Sequence, residues 1–221
     1  MLKNRYEHIL VFDFETTGLS YLTNNIIEIG AVLLKRTPEG VYRVADELNC
    51  LIRQAEPLPA KIIEITGITD ELLLNEGISE QEAFEKFQKL HKKDALLVAY
   101  NLSFDYAFLN QLYRKHFNDN SLFITNDVLD VMAIYKDRHP YPHRLESAVE
   151  KYNVAIKSTH RALDDVKATI EVLVKMIEER DSASKYINVI GYNPRYGPAK
   201  FKAPHVVYVP QYGNRLELEK R

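Results

Sequence analysis

Three β-rich runs follow one another closely in the first quarter of the chain, at residues 8–14, 26–35 and 41–53. The first run is apolar at consecutive positions, which is typical of a central strand buried on both faces. A turn signal, Pro38-Glu39-Gly40, separates the second run from the third. Because short connections join antiparallel strands, the pattern predicts three antiparallel neighbours.

Helical and extended patterns then alternate. The spacing predicts short helices at 59–65 and 79–92, the second with Ser79 as N-cap and Glu82 in a capping box. The later elements are predicted as strands at 95–100 and 123–125, and helices at 103–116, from 125 to about 136, at 144–152 and at 161–179. Strands that alternate with helices are parallel, so the fold class is α/β. We expect a mixed five-stranded sheet, three antiparallel strands then two parallel, flanked by helices.

The amino-acid composition of the chain changes near residue 182. Residues 182–221 hold four of the nine prolines and five of the fourteen tyrosines. Two strand-like runs, 186–190 and 205–209, flank a turn-rich stretch there. The sequence therefore predicts a domain over 1–181 and a C-terminal extension over 182–221 that forms a β-hairpin or an extended arm.

Charge distinguishes the same two parts. The whole chain of 221 residues carries a formal net charge of −2, which argues against a protein that coats nucleic acid but allows a local basic channel. Residues 183–221 carry seven Lys and Arg and two Glu, a net of +5, so the rest carries −7. The tail mixes aromatic and basic side chains in the way that suits single-stranded nucleic acid: Tyr192, Tyr196, Phe201, Arg195, Lys200 and Lys202. Structural cover of the domain and contact with a partner protein are the alternatives.

Cysteine use and hydropathy bear on location. Cys50 is the only cysteine, so no internal disulfide can form, and a reducing compartment fits best. No apolar run approaches 18 residues, and no signal-peptide pattern occurs at the N-terminus. We expect a cytoplasmic protein that does not enter a membrane.

Two acids end the first strand. Asp13 and Glu15 are two residues apart, so both side chains point to one face, about 6.6 Å apart. Paired buried acids destabilise a fold unless a hard divalent cation neutralises them. The alternative is a solvated strand end with two acids by chance.

Further acids occur in two later segments. Asp105 follows Ser103 at the start of a predicted helix, where it also suits the helix dipole. Asp164 aligns with charged positions of the last helix, whereas Asp165 aligns with the apolar positions Ala168, Val172 and Met176 and so points inward. His160 can reach Asp165 only from a loop before that helix, because five helical residues turn about 140°.

These acids are expected at one edge of the sheet, since sites in α/β folds gather at the carboxyl ends of strands. A donor set dominated by carboxylates suits Mg²⁺ or Mn²⁺ and not Zn²⁺. No cysteine pair, phosphate-binding loop or nucleophile elbow competes with this interpretation.

Three ordered motifs carry a family resemblance. They are residues 12–18 (FDFETTG), 101–105 (NLSFD) and 160–165 (HRALDD). With them, the chain resembles the DnaQ-like, or DEDDh, 3′–5′ exonucleases, typified by the proofreading epsilon subunit of bacterial DNA polymerase III. Residues 65–69 (ITGIT) and Asp127 also resemble the family's connecting segments. The resemblance covers about residues 7–179.

The resemblance implies an RNase H-like fold and hydrolysis of phosphodiester bonds from a 3′ end. It places two Mg²⁺ ions, replaceable by Mn²⁺, on Asp13, Glu15, Asp105 and Asp165, and makes His160 the general base. It assigns substrate binding to Thr16, Gly18, Leu19, Tyr100, Asn101 and Phe104. Two departures, Tyr100 and Thr66, stand where the family usually has histidine and concern nucleotide preference.

The leading hypothesis is a proofreading or repair exonuclease that acts on single-stranded DNA 3′ ends and releases nucleoside 5′-monophosphates. One alternative keeps the chemistry and changes the substrate to RNA ends or short oligoribonucleotides. The other is a non-catalytic nucleic-acid-binding module on the same fold, which is disfavoured because all five catalytic positions are filled. Any polymerase partner would be a separate protein.

Overall fold

The computed structural model describes residues 5–156 and 158–220. The predicted ranges 1–181 and 182–221 also include residues 1–4, 157 and 221, which lie outside the described residues. Five strands form one sheet in the order β3-β2-β1-β4-β5. Their bounds are β1 His8–Thr16, β2 Ile26–Arg36, β3 Tyr42–Leu51, β4 Leu96–Ala99 and β5 Val128–Asp130. The predicted mixed sheet is confirmed.

Strand β1 lies in the middle of this sheet. It pairs antiparallel with β2, placing Asp13 opposite Gly30, and parallel with β4, placing Val11 opposite Val98. Its alternate side chains enter different cores, as its apolar run predicted. The pairing with β4 ends at Val11, so beyond that residue the carboxyl end of β1 is paired only with β2.

Seven α-helices flank the sheet in the described part of the chain. They are α1 Ala60–Thr66, α2 Asp70–Glu76, α3 Glu80–Leu90, α4 Leu102–Phe117, α5 Val131–Arg138, α6 Leu145–Lys151 and α7 Ala162–Glu179. The predicted Ser79 cap forms, since its side chain accepts the N–H of Glu82. The pattern analysis missed α2, although Thr69 caps it and two acids follow in its first turn.

The two faces of the sheet bury different helices. Leu10, Phe12 and Phe14 pack in a core with α3 and α4, whereas Ile9 and Val11 pack in a second core with α5, α6 and α7. Because side chains alternate along a strand, Asp13 and Glu15 follow Ile9 and Val11 onto the α7 face. No helix of the described residues is long and apolar enough to cross a bilayer.

The strand predicted at residues 123–125 is wrong, because the fifth strand is Val128–Asp130. Side chains of α4 occupy the backbone at Ile124: Asn110 Oδ1 accepts its N–H, and the Tyr106 hydroxyl donates to its carbonyl. Those groups are thus unavailable to a strand ladder. Val128 instead pairs with Leu97.

The predicted C-terminal hairpin is also wrong. Strands β6 (Val189–Tyr192) and β7 (Val207–Pro210) pair in parallel, so the chain between them must cross the molecule and return. Phe201 lies on that connection and is buried against Tyr21 and Tyr106. Its ring belongs to the core, which corrects the expectation that it contacts bases.

Two buried charged residues at the end of α5 attach the extension to the domain. Asp137 accepts hydrogen bonds from the Tyr186 hydroxyl, the Gln211 amide and the backbone N–H groups of Leu218 and Glu219. The neighbouring Arg138 donates to the carbonyls of Met176 and Arg180 and to the Ser182 hydroxyl. Buried charged groups need such partners, so removing the extension leaves Asp137 without its donors and Arg138 without the Ser182 hydroxyl.

We predict that truncation after Arg180 lowers the melting temperature or causes aggregation, because it strips Asp137 of its buried donors and uncovers apolar surface. Asp137→Ala should reduce the free energy of unfolding by about 1–3 kcal/mol or more, because it leaves buried donors without an acceptor. Thermal and urea denaturation measure both. The exposed Asp181→Ala is the matched control and should change little. A truncated protein with an unchanged melting temperature would contradict a structural role.

Candidate active site

The end of β1 and the start of α7 bring three predicted site residues together. Ligand atoms of Glu15, His160 and Asp165 all lie within 4.8 Å of one another. Asp13 lies beside them, close enough that its charge interacts with those of Glu15 and Asp165. The two strand acids and the helix acid therefore share one site, as the alternation of β1 and the phase of α7 predicted.

Asp105 joins the same site from α4. Its side chain is buried, and its Oδ1 accepts the backbone N–H of Phe14 at 3.0 Å. This bond ties the first turn of α4 directly to β1, between the two strand acids. The position in the first helical turn was predicted, whereas the contact with the strand backbone was not.

The two neighbouring aspartates of α7 have different environments. Asp165 is buried and accepts the N–H of Thr159 at 3.0 Å, whereas Asp164 is exposed and accepts the Thr159 hydroxyl at 2.9 Å. Both hold the loop that precedes the helix. Only Asp165 faces the acids of β1, so it is the one placed to share a cation with them.

His160 lies in the loop before α7, as a site shared with Asp165 requires. Its backbone is left-handed, with φ of 54°, and the helix begins two residues later. The ring is half exposed, and its Nε2 lies 3.3 Å from Glu146 Oε1 of α6. The histidine can thus exchange protons with solvent while facing the acids.

A buried ion pair that the pattern analysis missed positions this loop. Glu28, on β2, is fully buried and accepts hydrogen bonds from Arg161 Nε and Nη2 and from the N–H of Ala162. The backbones touch here as well, since a Cβ added to Gly30 would lie 2.3 Å from the carbonyl carbon of Ala162. A single acid inside the apolar run 26–35 was the available sequence signal.

The acids of the site repel one another. Burial raises the pKa of Asp13, Asp105 and Asp165 above the usual aspartate range, and the charge of Asp165 adds to the shift of Asp13. Burial, followed by the charges of Asp13 and Asp165, raises the pKa of Glu15 to about 9. Clustered carboxylates that are buried or partly buried and have raised pKa values form a donor set that a hard divalent cation would neutralise. The residues present therefore fit the divalent metal ions that the resemblance implies.

An open cleft of about 810 Å³ extends from these acids. Tyr100, Asn101 and Phe104 lie in its wall, where substrate binding was predicted for them. The Tyr100 hydroxyl donates to the carbonyls of His143 and Arg144, so this tyrosine also holds the loop before α6.

The other predicted substrate-binding residues, at the end of β1 and in the turn that follows it, lie outside the cleft wall. Thr16 is buried and its hydroxyl donates to the Gly18 carbonyl, while Leu19 is 89% exposed. None of these three lines the cleft as the free protein presents it. Their assignment to substrate binding remains a prediction.

Cleft residues that the sequence analysis did not name come from several elements: Lys61, Lys136, Tyr141, His143, Arg144 and Glu146. No shared sequence period connects these residues, which is why pattern analysis missed them. Asp130 is a further omission, because its side chain accepts the N–H groups of Asn101, Leu102 and Met132 and so supports the cleft wall. Asp127, which drew attention in the sequence, binds Arg5 and Asn188 instead.

A family model described as "RNase_T: Exonuclease" matches residues 10–173. The chain belongs to this exonuclease family. It is similar to the DNA polymerase III PolC-type of Bacillus subtilis (strain 168), with 36% identity over 185 residues, 82% of this chain and 12% of that protein. The corresponding protein of Caldanaerobacter subterraneus is 34% identical over 77% of this chain and 12% of its own length. The chain thus spans about an eighth of the curated relatives it matches.

Solved structures share the fold. E. coli Exonuclease I in complex with a dT13 oligonucleotide has a TM-score of 0.66 and 21% identity, over 79% of this chain and 41% of that chain. The nuclease domain of 3′hExo, a DEDDh family member bound to rAMP, has a TM-score of 0.63 and 19% identity, over 81% and 96% of the two chains. The predicted RNase H-like fold and membership of an exonuclease family are confirmed, and this family implies divalent metal ions.

We predict that the metal-free protein becomes less stable as pH rises. The folded-state pKa of Glu15, about 9, exceeds its ordinary value of 4.5, so the folded state binds that proton more tightly. The contribution of Glu15 to the free energy of unfolding should therefore be greatest below about pH 4.5 and should decrease as the pH rises from there to about pH 9. Urea denaturation in EDTA should show that wild-type protein loses stability between about pH 5 and pH 8 and regains it on adding Mg²⁺.

The variant Glu15→Gln should gain about 1–3 kcal/mol at pH 8 without metal, since it removes the repelled charge. Glu47→Gln is the matched control, because Glu47 pairs with Lys167 of α7 in a part-exposed bridge and its loss should change stability by less than about 1 kcal/mol. Equal stability of Glu15→Gln and wild type at pH 8 would contradict the repulsion.

Proposed function

We propose that this exonuclease domain removes nucleotides one at a time from the 3′ ends of single-stranded DNA, as a proofreading or repair enzyme that releases nucleoside 5′-monophosphates. The observation that carries the proposal is the convergence of four acids and His160 at one end of an open cleft. The PolC-type relatives are DNA polymerases by name, which supports DNA as the substrate and a DNA polymerase or other replication protein as a partner. We propose a cytoplasmic location on the same basis.

The proposed chemistry assigns a task to each side chain. Asp13, Glu15, Asp105 and Asp165 would hold two Mg²⁺ ions, with Mn²⁺ as a substitute. Bound divalent ions lower the pKa of water and stabilise the charge of the attacking and leaving oxygens in phosphodiester hydrolysis. His160 accepts the proton of the attacking water as that oxygen bonds to phosphorus and the bond to the leaving 3′ oxygen breaks. The departing 3′ oxygen takes a proton from solvent and becomes a hydroxyl. Being half exposed, the His160 ring returns its own proton to solvent, with Glu146 orienting Nε2.

RNA is the second candidate substrate. It is favoured by 3′hExo, whose nuclease domain is bound to rAMP and has the same fold. Tyr100, in place of the usual histidine, lies in the cleft wall where it can affect sugar or base preference. A non-catalytic binding module is disfavoured, because all five predicted catalytic positions keep acids or histidine and lie in the cleft lining.

We predict Mg²⁺-dependent shortening of 5′-labelled single-stranded DNA, with RNA of the same sequence degraded more slowly. Asp165→Asn should reduce turnover by about 100-fold or more, since even outer-shell partners of a metal contribute about 10–100-fold. Asp164→Asn is the matched control and should remain active, because Asp164 is exposed and faces away from the acids. Activity in EDTA, or an active Asp165→Asn beside an inactive Asp164→Asn, would refute the assignment.

For the general base, His160→Gln should lower turnover by about 10²–10⁴-fold and leave KM nearly unchanged. His8→Gln provides the comparison, since His8 begins β1 at the opposite end of the same strand. Steady-state kinetics with a fluorescent oligonucleotide measure both. Wild-type turnover in His160→Gln would show that another group accepts the proton.

A further inference from the structure

A turn of the C-terminal extension forms part of the cleft wall. Asn193 and Tyr196 line the same cleft as Glu15, His160 and Asp165. These two residues lie beyond residue 173, where the family match ends. The cleft is thus completed by a segment that the family match does not include.

The turn at residues 193–197 makes its hydrogen bonds within itself and leaves the Tyr196 side chain exposed to solvent. The Asn193 side chain accepts the N–H of Arg195, and its carbonyl accepts the N–H groups of Tyr196 and Gly197. Gly197 has φ of 73°, which suits a residue without a side chain. With its backbone hydrogen bonds made locally, the turn leaves the Tyr196 side chain 77% exposed.

The turn is also fixed in position relative to the domain. The residue before it, Tyr192, accepts the N–H of Gln211, whose buried side chain donates to the carbonyl of Ala133 in α5. Gly191 is packed so closely on Gln211 that no Cβ fits there. Because α5 also supplies Lys136 to the cleft, the turn and that wall are held as one unit.

Other side chains of the same lining have the chemistry of a single-strand binding groove. Tyr141 is 79% exposed and lines the cleft with Tyr196, and Lys61, Lys136 and Arg144 add positive charge. Aromatic faces stack on bases of any sequence, while cations attract the phosphates between them. The acids of the cleft repel phosphates, so they hold the scissile group only with metal bound. The aromatic and basic side chains of the lining are the groups suited to bind the remaining nucleotides of the strand.

We propose that Tyr196 stacks on a nucleobase at least two nucleotides to the 5′ side of the scissile bond, beyond the reach of a dinucleotide, so that the extension forms a substrate-binding subsite. The inference rests on the proposed function, because the strand must place its 3′ end at the acids. The 3′-terminal nucleotide leaves as product, whereas the nucleotides behind it remain in the cleft and contact Tyr196. The subsite therefore governs affinity for longer strands and not the chemical step.

A second tyrosine of the extension provides a matched control. Tyr212 is 62% exposed and carries Arg215 at 5.0 Å from its ring, as Tyr196 carries Arg195 at 5.8 Å. Tyr212 does not line the cleft. Tyr196 and Tyr212 are thus both exposed and both have an arginine beside the ring, but only Tyr196 lines the cleft.

The experiment compares Tyr196→Ala, Tyr196→Phe and Tyr212→Ala on a thymidine dinucleotide and on a longer oligo(dT) strand. Tyr196→Ala should raise KM for the longer strand by roughly 5–100-fold, the effect of losing one stacked base, with kcat and the dinucleotide KM unchanged. Tyr196→Phe and Tyr212→Ala should match wild type. Melting temperatures should be equal for all variants, since both tyrosines are exposed.

Direct binding separates this inference from the proposed function. Fluorescence anisotropy of labelled oligo(dT) on Asp165→Asn, with and without Tyr196→Ala, should show the same 5–100-fold weakening. Weaker binding caused by Tyr196→Ala, together with an otherwise wild-type protein that shows no turnover with Mg²⁺, would support the subsite and refute the nuclease proposal. Unchanged KM and Kd in Tyr196→Ala, equal losses in Tyr212→Ala, or an equal loss on the dinucleotide would each overturn the subsite.

Discussion

Repulsion among four clustered carboxylates, two of them buried and two partly buried, is the constraint on which the site depends. Asp13, Glu15, Asp105 and Asp165 lie close enough that burial and mutual charge raise their pKa values. Such a cluster lowers the stability of the metal-free fold, because ionised carboxylates lose solvation and repel one another. The same arrangement gives a divalent cation its binding energy. Stability and function therefore oppose each other at this position, and the scaffold must hold the acids in place.

The scaffold does so from three directions. Pairing with β4 fixes the first half of β1, and pairing with β2 continues to Thr16, so the end that carries the acids is held against their repulsion. The bond from the Phe14 backbone to Asp105 connects α4 to that end. Glu28 holds Arg161 and the first N–H of α7, which brings His160 and Asp165 to the same place. Each device uses buried polar partners, which are costly to break.

The C-terminal extension combines structural cover with the construction of the cleft. Asp137 and Arg138 bind it to α5, and Phe201 buries its ring in the main core. Its exposed turn meanwhile reaches the cleft at Tyr196. Structural and binding roles thus belong to different residues of one segment. A basic, aromatic composition alone does not tell them apart, since Tyr196 is exposed and Phe201 is buried.

The sequence by itself determined the features that depend on local periodicity. Strand alternation put Asp13 and Glu15 on one face, and helical phase turned Asp165 inward and Asp164 outward. Tertiary structure alone decided where β5 pairs, that β6 and β7 run parallel, and that Glu28 meets Arg161. These outcomes depend on partners far apart in the chain, such as the α4 side chains that occupy the backbone of Ile124. A local period records which way a side chain points, but not which distant group it meets.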